Sequence, residues 1–353
     1  MKQKKVYLEI IRIFAIFFVI YVHTGMDAAE HYQTTQNHFS YGLSLVFYSI
    51  AQVSVPLFFL ISGAVLLHKE ESFKNVLLHR ALRIFLIILL FGLVQYAYFY
   101  YLNPEIGFSI SVFFKLVYST NVITQYWYLR CYFALMLILL FVRMLAHSMK
   151  NPHFWYLFGL FFLLEGILPI IEYLWGNSRI ALSIPFMENS LLYPLLGYYI
   201  AQRSGELFYR KKILLLTNLA GLCALCTNIV VAFMAHRQRG NAESLEGMTA
   251  LLALVIFIDI RALCYYASRS TRPIYHGTFS QVLCKSICFI GGGVFGVYLL
   301  EPPLRDTFRF IYVMTEPYIS WFPATILWIS SAILCGSVVF HFLKRLPFLR
   351  KIL

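Results

Sequence analysis

Three ionisable side chains share one face of the first apolar segment, E-I-I-R-I-F-A-I-F-F-V-I-Y-V-H-T-G: Glu9, Arg12 and His23. Eleven residues of an α-helix make three turns plus about 20°, so Arg12 and His23 lie on one face, ~16 Å apart along the axis. Glu9 lies on nearly the same face and is spaced to pair with Arg12 from i to i+3. Ionisable groups are costly inside a membrane, and their presence there points to a functional site.

The chemistry of this stripe depends on its two ends. An imidazole changes charge near neutral pH and suits the role of general base, so His23 is the candidate base. A guanidinium binds anionic groups well, so Arg12 is the candidate anchor for an anionic donor. The alternative is that Arg12 only pairs with Glu9 at one interface while His23 is a hydrated residue at the other.

The composition predicts a polytopic membrane protein with an all-α fold. Of 353 residues, 60% are hydrophobic and 13% are charged, whereas soluble domains are about 25% charged. No stretch resembles a separate soluble domain, so residues 1–353 are predicted to form a single transmembrane domain. The net charge of +13 does not indicate nucleic-acid binding, because the basic residues lie between apolar segments. The seven cysteines lack the ligand spacing of a zinc site, and no metal is expected.

Segments of ~20 apolar residues, the length that crosses a bilayer, predict a bundle of about ten helices. The predicted segments are 6–25, 43–67, 82–102, 127–146, 154–173, 187–203, 212–235, 248–267, 284–302 and 321–343. Breaker pairs are predicted to mark the loops: Asn103-Pro104, Asn151-Pro152, Gly176-Asn177, Arg272-Pro273 and Glu316-Pro317.

The distribution of Lys and Arg predicts orientation. Most basic residues of the loops fall on one side if the N-terminus is cytoplasmic, and an even helix count then places both termini in the cytoplasm. The protein is therefore expected to be a multi-pass membrane protein, with the lipid bilayer as a partner. Arg130 and Lys285 lie at the edges of apolar segments, where long cationic side chains can reach the interface.

Five motifs, in order along the whole chain, resemble the acyltransferase 3 family of integral membrane acyltransferases. They are the arginine and histidine with ten residues between them (Arg12, His23), S-V-P-L-F-F-L-I-S-G (Ser54–Gly63), H-R-A-L-R (His79–Arg83), Q-Y-W-Y-L-R (Gln125–Arg130) and F-G-V-Y-L-L (Phe295–Leu300). The resemblance implies an integral protein of the plasma (inner) membrane, a transferase that moves an acyl group, usually acetyl, from cytoplasmic acyl-CoA. The implied acceptor is a hydroxyl of an extracytoplasmic carbohydrate or other cell-envelope glycan. The family's essential histidine and arginine correspond to His23 and Arg12.

Two positions depart from the family pattern. Gln125 and Glu301 stand where the family usually has histidine. A glutamine can form hydrogen bonds but cannot act as a base, whereas Glu301 can accept a proton and is a candidate to assist His23.

The predicted site therefore has three parts. His23 is the base, and Arg12 with Glu9 positions the donor. Acyl-CoA, acetyl-CoA in the commonest case, is the expected donor, and no metal is needed because a thioester is already activated. Arg80 and Arg83 are candidates for holding the CoA phosphates, or else ordinary positive charge at a membrane surface. Trp127, Gln125 and Glu301 are the candidates for acceptor binding, although Trp127 also fits an interfacial aromatic belt.

Small residues and further acids leave other interpretations open. Gly63, after Ser62, fits close packing of two helices, and Gly291-Gly292-Gly293 fits a kink or a close helix contact rather than a phosphate loop. Glu165, Glu172 and Glu188 are possible acceptor contacts that sequence does not separate from interfacial charges. Two rival functions are a transporter or flippase for a glycan or lipid-linked sugar, and a membrane sensing module. Dependence on acyl-CoA distinguishes a transferase from a transporter.

Overall fold

The computed structural model describes residues 6–103, 105, 107–119, 124–174, 189–269 and 278–353, and in these residues the regular structure is entirely helical. The prediction of an all-α bundle is confirmed. In the first half, the helices are α1 (Val6–Val22), α2 (His38–Ala51), α3 (Ser54–Leu66), α4 (Phe73–Asn75), α5 (Leu82–Leu102), α6 (Ile110–Ser119), α7 (Trp127–Ser148) and α8 (Asn151–Phe162). In the second half, they are α9 (Leu168–Leu174), α10 (Asn189–Tyr198), α11 (Lys211–Arg239), α12 (Glu246–Arg269), α13 (Thr278–Leu299), α14 (Glu301–Ile319), α15 (Trp321–Leu343) and α16 (Pro347–Ile352).

Several of these helices join into longer membrane-spanning rods. Within the described residues, eight helical stretches are long and apolar enough to cross a membrane. They are His38–Leu66, Phe73–Leu102, Trp127–Ser148, Asn151–Ile171, Lys211–Arg239, Glu246–Arg269, Ser280–Leu299 and Trp321–Leu343. Helix α1, and α10 with its π-helical continuation Tyr199–Arg203, occupy the two remaining predicted segments but are shorter.

The structure differs from prediction after the ninth segment. Helix α13 ends at Leu299 rather than continuing to 302, and the predicted loop that follows is the helix α14 (Glu301–Ile319). Prolines at the second and third positions of a helix lack only amide hydrogens that would have no partner there, so Pro302 does not prevent its start. The predicted breaker Pro317 lies inside its last turn, and the helix ends two residues later.

The other residue pairs predicted to mark loops lie at helix ends or outside the described residues. Asn151-Pro152 forms the first turn of α8, as a breaker at a helix start should. Asn103 follows the last residue of α5, while Pro104, Gly176-Asn177 and Arg272-Pro273 lie outside the described residues.

Glycines bring the helices that surround the site into backbone contact. A Cβ added to Gly63 of α3 would lie 1.8 Å from the backbone oxygen of Pro194 in α10, and one added to Gly197 would lie 2.0 Å from that of Leu60. Gly63 is therefore a close-packing residue, as its position in an apolar helix suggested. Gly291 likewise lets α13 approach Glu9 of α1, where an added Cβ would lie 2.6 Å from the glutamate Cβ.

Candidate active site

Two cavities enter the bundle near the two ends of α1. One, of about 420 Å³, has His23, Gln125, Trp127 and Glu246 in its lining and is called the His23 cavity here. The other, of about 400 Å³, has Arg12 in its lining together with Glu9, His79, Arg80 and Arg83 and is called the Arg12 cavity. The stripe predicted on α1 is thus divided between two cavities.

His23 lies in the turn that follows α1, where its backbone N–H donates to the carbonyl of Ile20 at 3.0 Å. The helix therefore ends three residues earlier than the predicted segment, yet the imidazole remains at the cavity wall. The side chain is 22% exposed, and its Nδ1 is buried. The accessible edge of the ring, on the side of Nε2, is the part available to a substrate.

A buried carboxylate lies behind the imidazole. Glu301 is the first residue of α14 and only 1% exposed, and its Oε2 lies 3.4 Å from His23 Nδ1. Its Oε1 accepts a hydrogen bond from Arg305 at 3.1 Å, one turn further along the helix. The same guanidinium donates to the backbone carbonyl of His23 at 3.0 Å and pairs with Asp306. Arg305 therefore fixes both the carboxylate and the end of α1, and these three residues form the His23–Glu301–Arg305 cluster.

The position of Glu301 is set by the end of α13. The carbonyl of Leu299 accepts hydrogen bonds from Gln95 at 2.8 Å and from the Tyr126 hydroxyl at 2.9 Å. The hydroxyl of Tyr298 donates to the backbone carbonyl of Gln125 at 2.7 Å. Helix α5 and the 3₁₀ turn before α7 thus hold the residues that immediately precede the acid.

The predicted acceptor-binding residues fall in two places. Gln125 and Trp127 line the His23 cavity, and the Trp127 side chain is partly exposed at the protein surface. Glu301 does not line that cavity but contacts the far side of the imidazole. Its geometry therefore suits positioning of His23 rather than direct contact with an acceptor.

The Arg12 cavity contains the predicted donor-binding residues. Arg12 Nη1 donates to Glu9 Oε1 at 2.7 Å, as the i to i+3 spacing predicted. Glu9 is buried, because Gly291 allows α13 to pack directly against it. This hydrogen bond uses one N–H of the guanidinium, and Arg12 also lines the cavity.

Arg80 and Arg83 line the same cavity but also have protein partners. Arg80 binds Glu71 through two hydrogen bonds, Nε to Oε2 at 2.8 Å and Nη2 to Oε1 at 2.6 Å. Arg83 donates to the backbone carbonyls of Ile352, at 2.5 Å, and Leu353. A phosphate bound here would use the donors that face away from these partners.

Glu71 joins Arg80 to a second arginine. Arg143, only 4% exposed, donates to Glu71 Oε2 at 2.7 Å and to the carbonyl of Leu66 at 3.0 Å. The hydrogen bonds from Arg80, and secondly the one from Arg143, lower the pKa of Glu71 from its ordinary 4.5 to about 2. The carboxylate therefore pairs with two arginines, one of which, Arg80, lines the Arg12 cavity.

The Glu71→Gln variant is expected to be less stable than wild type by about 3 kcal/mol near pH 7, because it leaves the buried Arg143 without its charged partner. A carboxyl group with a depressed pKa stabilises the fold above its unfolded pKa and loses that contribution as the pH falls through its folded pKa. The difference between wild type and variant should thus shrink as the pH falls from about 5 towards 2. Thermal unfolding in detergent across this range measures it. Glu70→Gln, beside it in the same loop, is the control, and a constant difference at every pH would contradict the assignment.

Sequence reasoning missed several residues of the site. Arg305 was assigned only to a loop, although its i to i+4 spacing from Glu301 would have paired them on a helix. Glu246, in the first turn of α12, lines the His23 cavity, but no sequence pattern around it marks it as a site residue. Of the three acids considered, Glu165 lies in a π-helical turn outside the lining of both cavities. The Glu172 side chain and Glu188 lie outside the described residues.

Comparison with known proteins gives one match. The acyltransferase 3 family, described as an acyltransferase domain, matches residues 5–342. No curated protein and no solved structure matches the chain.

Proposed function

Because the chain belongs to the acyltransferase 3 family and is a multi-pass membrane protein, we propose that it transfers an acyl group, acetyl in the first instance, from acyl-CoA to a hydroxyl of a cell-envelope glycan. In this proposal it is an O-acetyltransferase of the plasma (inner) membrane with both termini cytoplasmic. The Arg12 cavity then opens to the cytoplasm and the His23 cavity to the outside. Acyl-CoA enters from the first and the carbohydrate acceptor from the second.

The observation that carries this proposal is the environment of His23. One edge of its imidazole faces a cavity, and the other faces a carboxylate that is buried and held by an arginine. A base oriented by a third group is the arrangement used to activate hydroxyl nucleophiles. The 3.4 Å separation of Nδ1 and Oε2 is longer than a hydrogen bond, and such contacts often shorten when substrate binds.

The reaction follows from this geometry. With a proton on Nδ1 facing Glu301, Nε2 of His23 is free to accept the proton of the acceptor hydroxyl. The acceptor oxygen bonds to the thioester carbonyl carbon, and the carbon–sulfur bond then breaks. The CoA sulfur takes the proton from the imidazolium and leaves as a thiol, so the base is regenerated.

The Arg12 cavity supplies the charge that an acyl-CoA requires. Its lining includes Arg12, Arg80 and Arg83, while Glu9 and Glu71 offset part of that charge. Guanidinium groups suit phosphates because their forked donors match phosphate oxygens. We assign the CoA phosphates to Arg80 and Arg83, and the arm that leads to the thioester to Arg12.

The test is the release of free CoA from acetyl-CoA by the purified protein in nanodiscs, with and without a cell-envelope glycan extract. Transfer predicts release that the extract stimulates and that Arg12→Ala strongly reduces. Glycan binding without CoA release from any extract would favour the rival transporter and overturn the proposal. Arg239→Ala is a control, because Arg239 is an exposed arginine that pairs with Glu243 and lines neither cavity.

The Glu301→Gln variant is expected to lower kcat by roughly 10- to 100-fold, while KM for acetyl-CoA stays within about twofold. The amide retains the shape of the side chain but loses the charge that stabilises the imidazolium and fixes its tautomer. Steady-state kinetics with varied acetyl-CoA measures both constants. Asp306→Asn removes the other carboxylate on Arg305 without touching His23 and should retain most activity. Equal effects of the two substitutions would argue against a positioning role for Glu301.

A further inference from the structure

Three aromatic side chains separate the two cavities. Phe58, Tyr128 and Tyr298 line both the His23 cavity and the Arg12 cavity. The ring of Tyr128 lies between the others, with its centroid 5.8 Å from that of Phe58 and 5.8 Å from that of Tyr298. These are contact distances for aromatic rings and leave no passage for a methylene chain between neighbours. The three side chains are called the aromatic partition.

Contacts outside the partition fix the positions of two of its members. Tyr298 is buried, and its hydroxyl donates to the carbonyl of Gln125 at 2.7 Å. Phe58 is carried by α3, whose backbone is in direct contact with α10 at Gly63. Tyr128 is the member that touches both of the others, so the continuity of the partition depends on its ring.

The partition lies across the path that the proposed function requires. Arginines that suit phosphates lie on one side of it, and the base lies on the other. The acyl end of an acyl-CoA is the end remote from the phosphates, so it is the first part of the donor to meet the rings. The rings must separate to let it through, and the width to which they separate limits the shape of the acyl group.

We propose that the aromatic partition, through Tyr128, selects slender unbranched acyl groups and excludes branched and aromatic ones. This inference rests on the proposed acyl transfer. The part of the CoA arm next to the thioester, its cysteamine and β-alanine units, is itself an unbranched chain. An opening that admits this arm therefore admits acetyl and propionyl groups of the same width. An isobutyryl or benzoyl group needs a wider separation of rings that are packed against one another.

The first test compares acyl donors. CoA release from acetyl-, propionyl-, isobutyryl- and benzoyl-CoA is measured for wild type and Tyr128→Ala in nanodiscs with the glycan extract. The ratio of the isobutyryl to the acetyl rate should rise at least tenfold in Tyr128→Ala. Tyr128→Phe, which retains the ring, should keep the wild-type ratio. If folded Tyr128→Ala transfers acetyl with an unchanged ratio of isobutyryl to acetyl rates, the inference is overturned and the proposed function is not. If wild type releases no CoA, the proposed function is overturned.

The second test needs no turnover. Cys131 lines the His23 cavity but not the Arg12 cavity and serves as a native reporter. In a chain whose other six cysteines are replaced by serine, a charged methanethiosulfonate reagent is applied in turn to each face of oriented vesicles. Labelling from the Arg12 side should be at least tenfold faster in Tyr128→Ala than in the otherwise identical chain, and labelling from the other side should be unchanged. Equal rates from the Arg12 side would overturn the partition.

Discussion

The His23→Ala variant is expected to release CoA from acetyl-CoA roughly 10²- to 10⁴-fold more slowly than wild type, which is the usual contribution of a general base. Alanine removes the only part of the His23–Glu301–Arg305 cluster that reaches the cavity lining. The fold should survive, because the imidazole is partly exposed and Arg305 keeps its bond to the backbone carbonyl at this position. The assay is the acetyl-CoA-dependent release of CoA in nanodiscs with the glycan extract.

Two further variants sharpen this result. His23→Gln retains hydrogen bonding but cannot take a proton, so it should be as inactive as His23→Ala. His38→Ala changes an exposed histidine at the start of α2 and should leave the rate within about twofold of wild type. Wild-type release by folded His23→Gln would exclude the imidazole as the base.

The Gly63→Ala variant is expected to lose at least about 3 kcal/mol of stability, the upper part of the usual range for overpacking. The added Cβ would lie 1.8 Å from the backbone oxygen of Pro194 and 2.4 Å from its carbonyl carbon. Backbone atoms of a packed helix cannot rotate aside as a side chain can, so α3 and α10 must move apart. Thermal unfolding in detergent, together with the yield of monodisperse protein, measures the loss.

Gly42→Ala is the matched control for this prediction. Gly42 also lies within a helix, α2, but a Cβ added there meets no atom within 4 Å. Alanine has the higher helix propensity, so this variant should be neutral or slightly more stable. Similar melting temperatures for the two alanine variants would show that α3 and α10 are not in rigid backbone contact.

Sequence alone predicted the elements whose signal is local. Each predicted apolar segment contains a helix in the described residues, because the bilayer requires long runs of apolar side chains and satisfies their backbone groups internally. The Glu9–Arg12 pair was predicted for the same reason, since helical spacing alone brings the two side chains together. The orientation of the bundle and the identities of donor and acceptor stay predictions.

Helix α14 shows why part of the site was missed. Its sequence has two prolines at the start, a third near the end, and charges such as Arg305 and Arg309, a composition typical of a loop. It is helical because one face packs along α15, where Trp328 donates to the carbonyl of Arg305 at 2.8 Å. Tertiary contact, rather than local preference, decides its structure. Without the helix, no sequence pattern links Arg305 to Glu301.

Contacts between distant segments account for the remaining differences. No protein partner was predicted for Arg80, but it binds Glu71, which also binds Arg143 from α7. The aromatic partition combines residues from α3, α7 and α13, and each of them alone is an ordinary aromatic residue of an apolar helix. Such groupings depend on how helices pack, and periodicity along one helix does not encode them.

The four residues from Tyr298 to Glu301 hold the aromatic ring of the first and the carboxylate of the last at a fixed distance. Tyr298 belongs to the partition, the carbonyl of Leu299 is anchored by two hydrogen bonds, and Glu301 faces the imidazole. An insertion or deletion of one residue would turn whatever follows it by about 100°, and the ring and the carboxylate could not both keep their places. The number of residues between Tyr298 and Glu301 is therefore constrained more strongly than the identity of Leu299 or Leu300. Relatives that share this arrangement should preserve the spacing of aromatic residue and acid even where the residues between them differ.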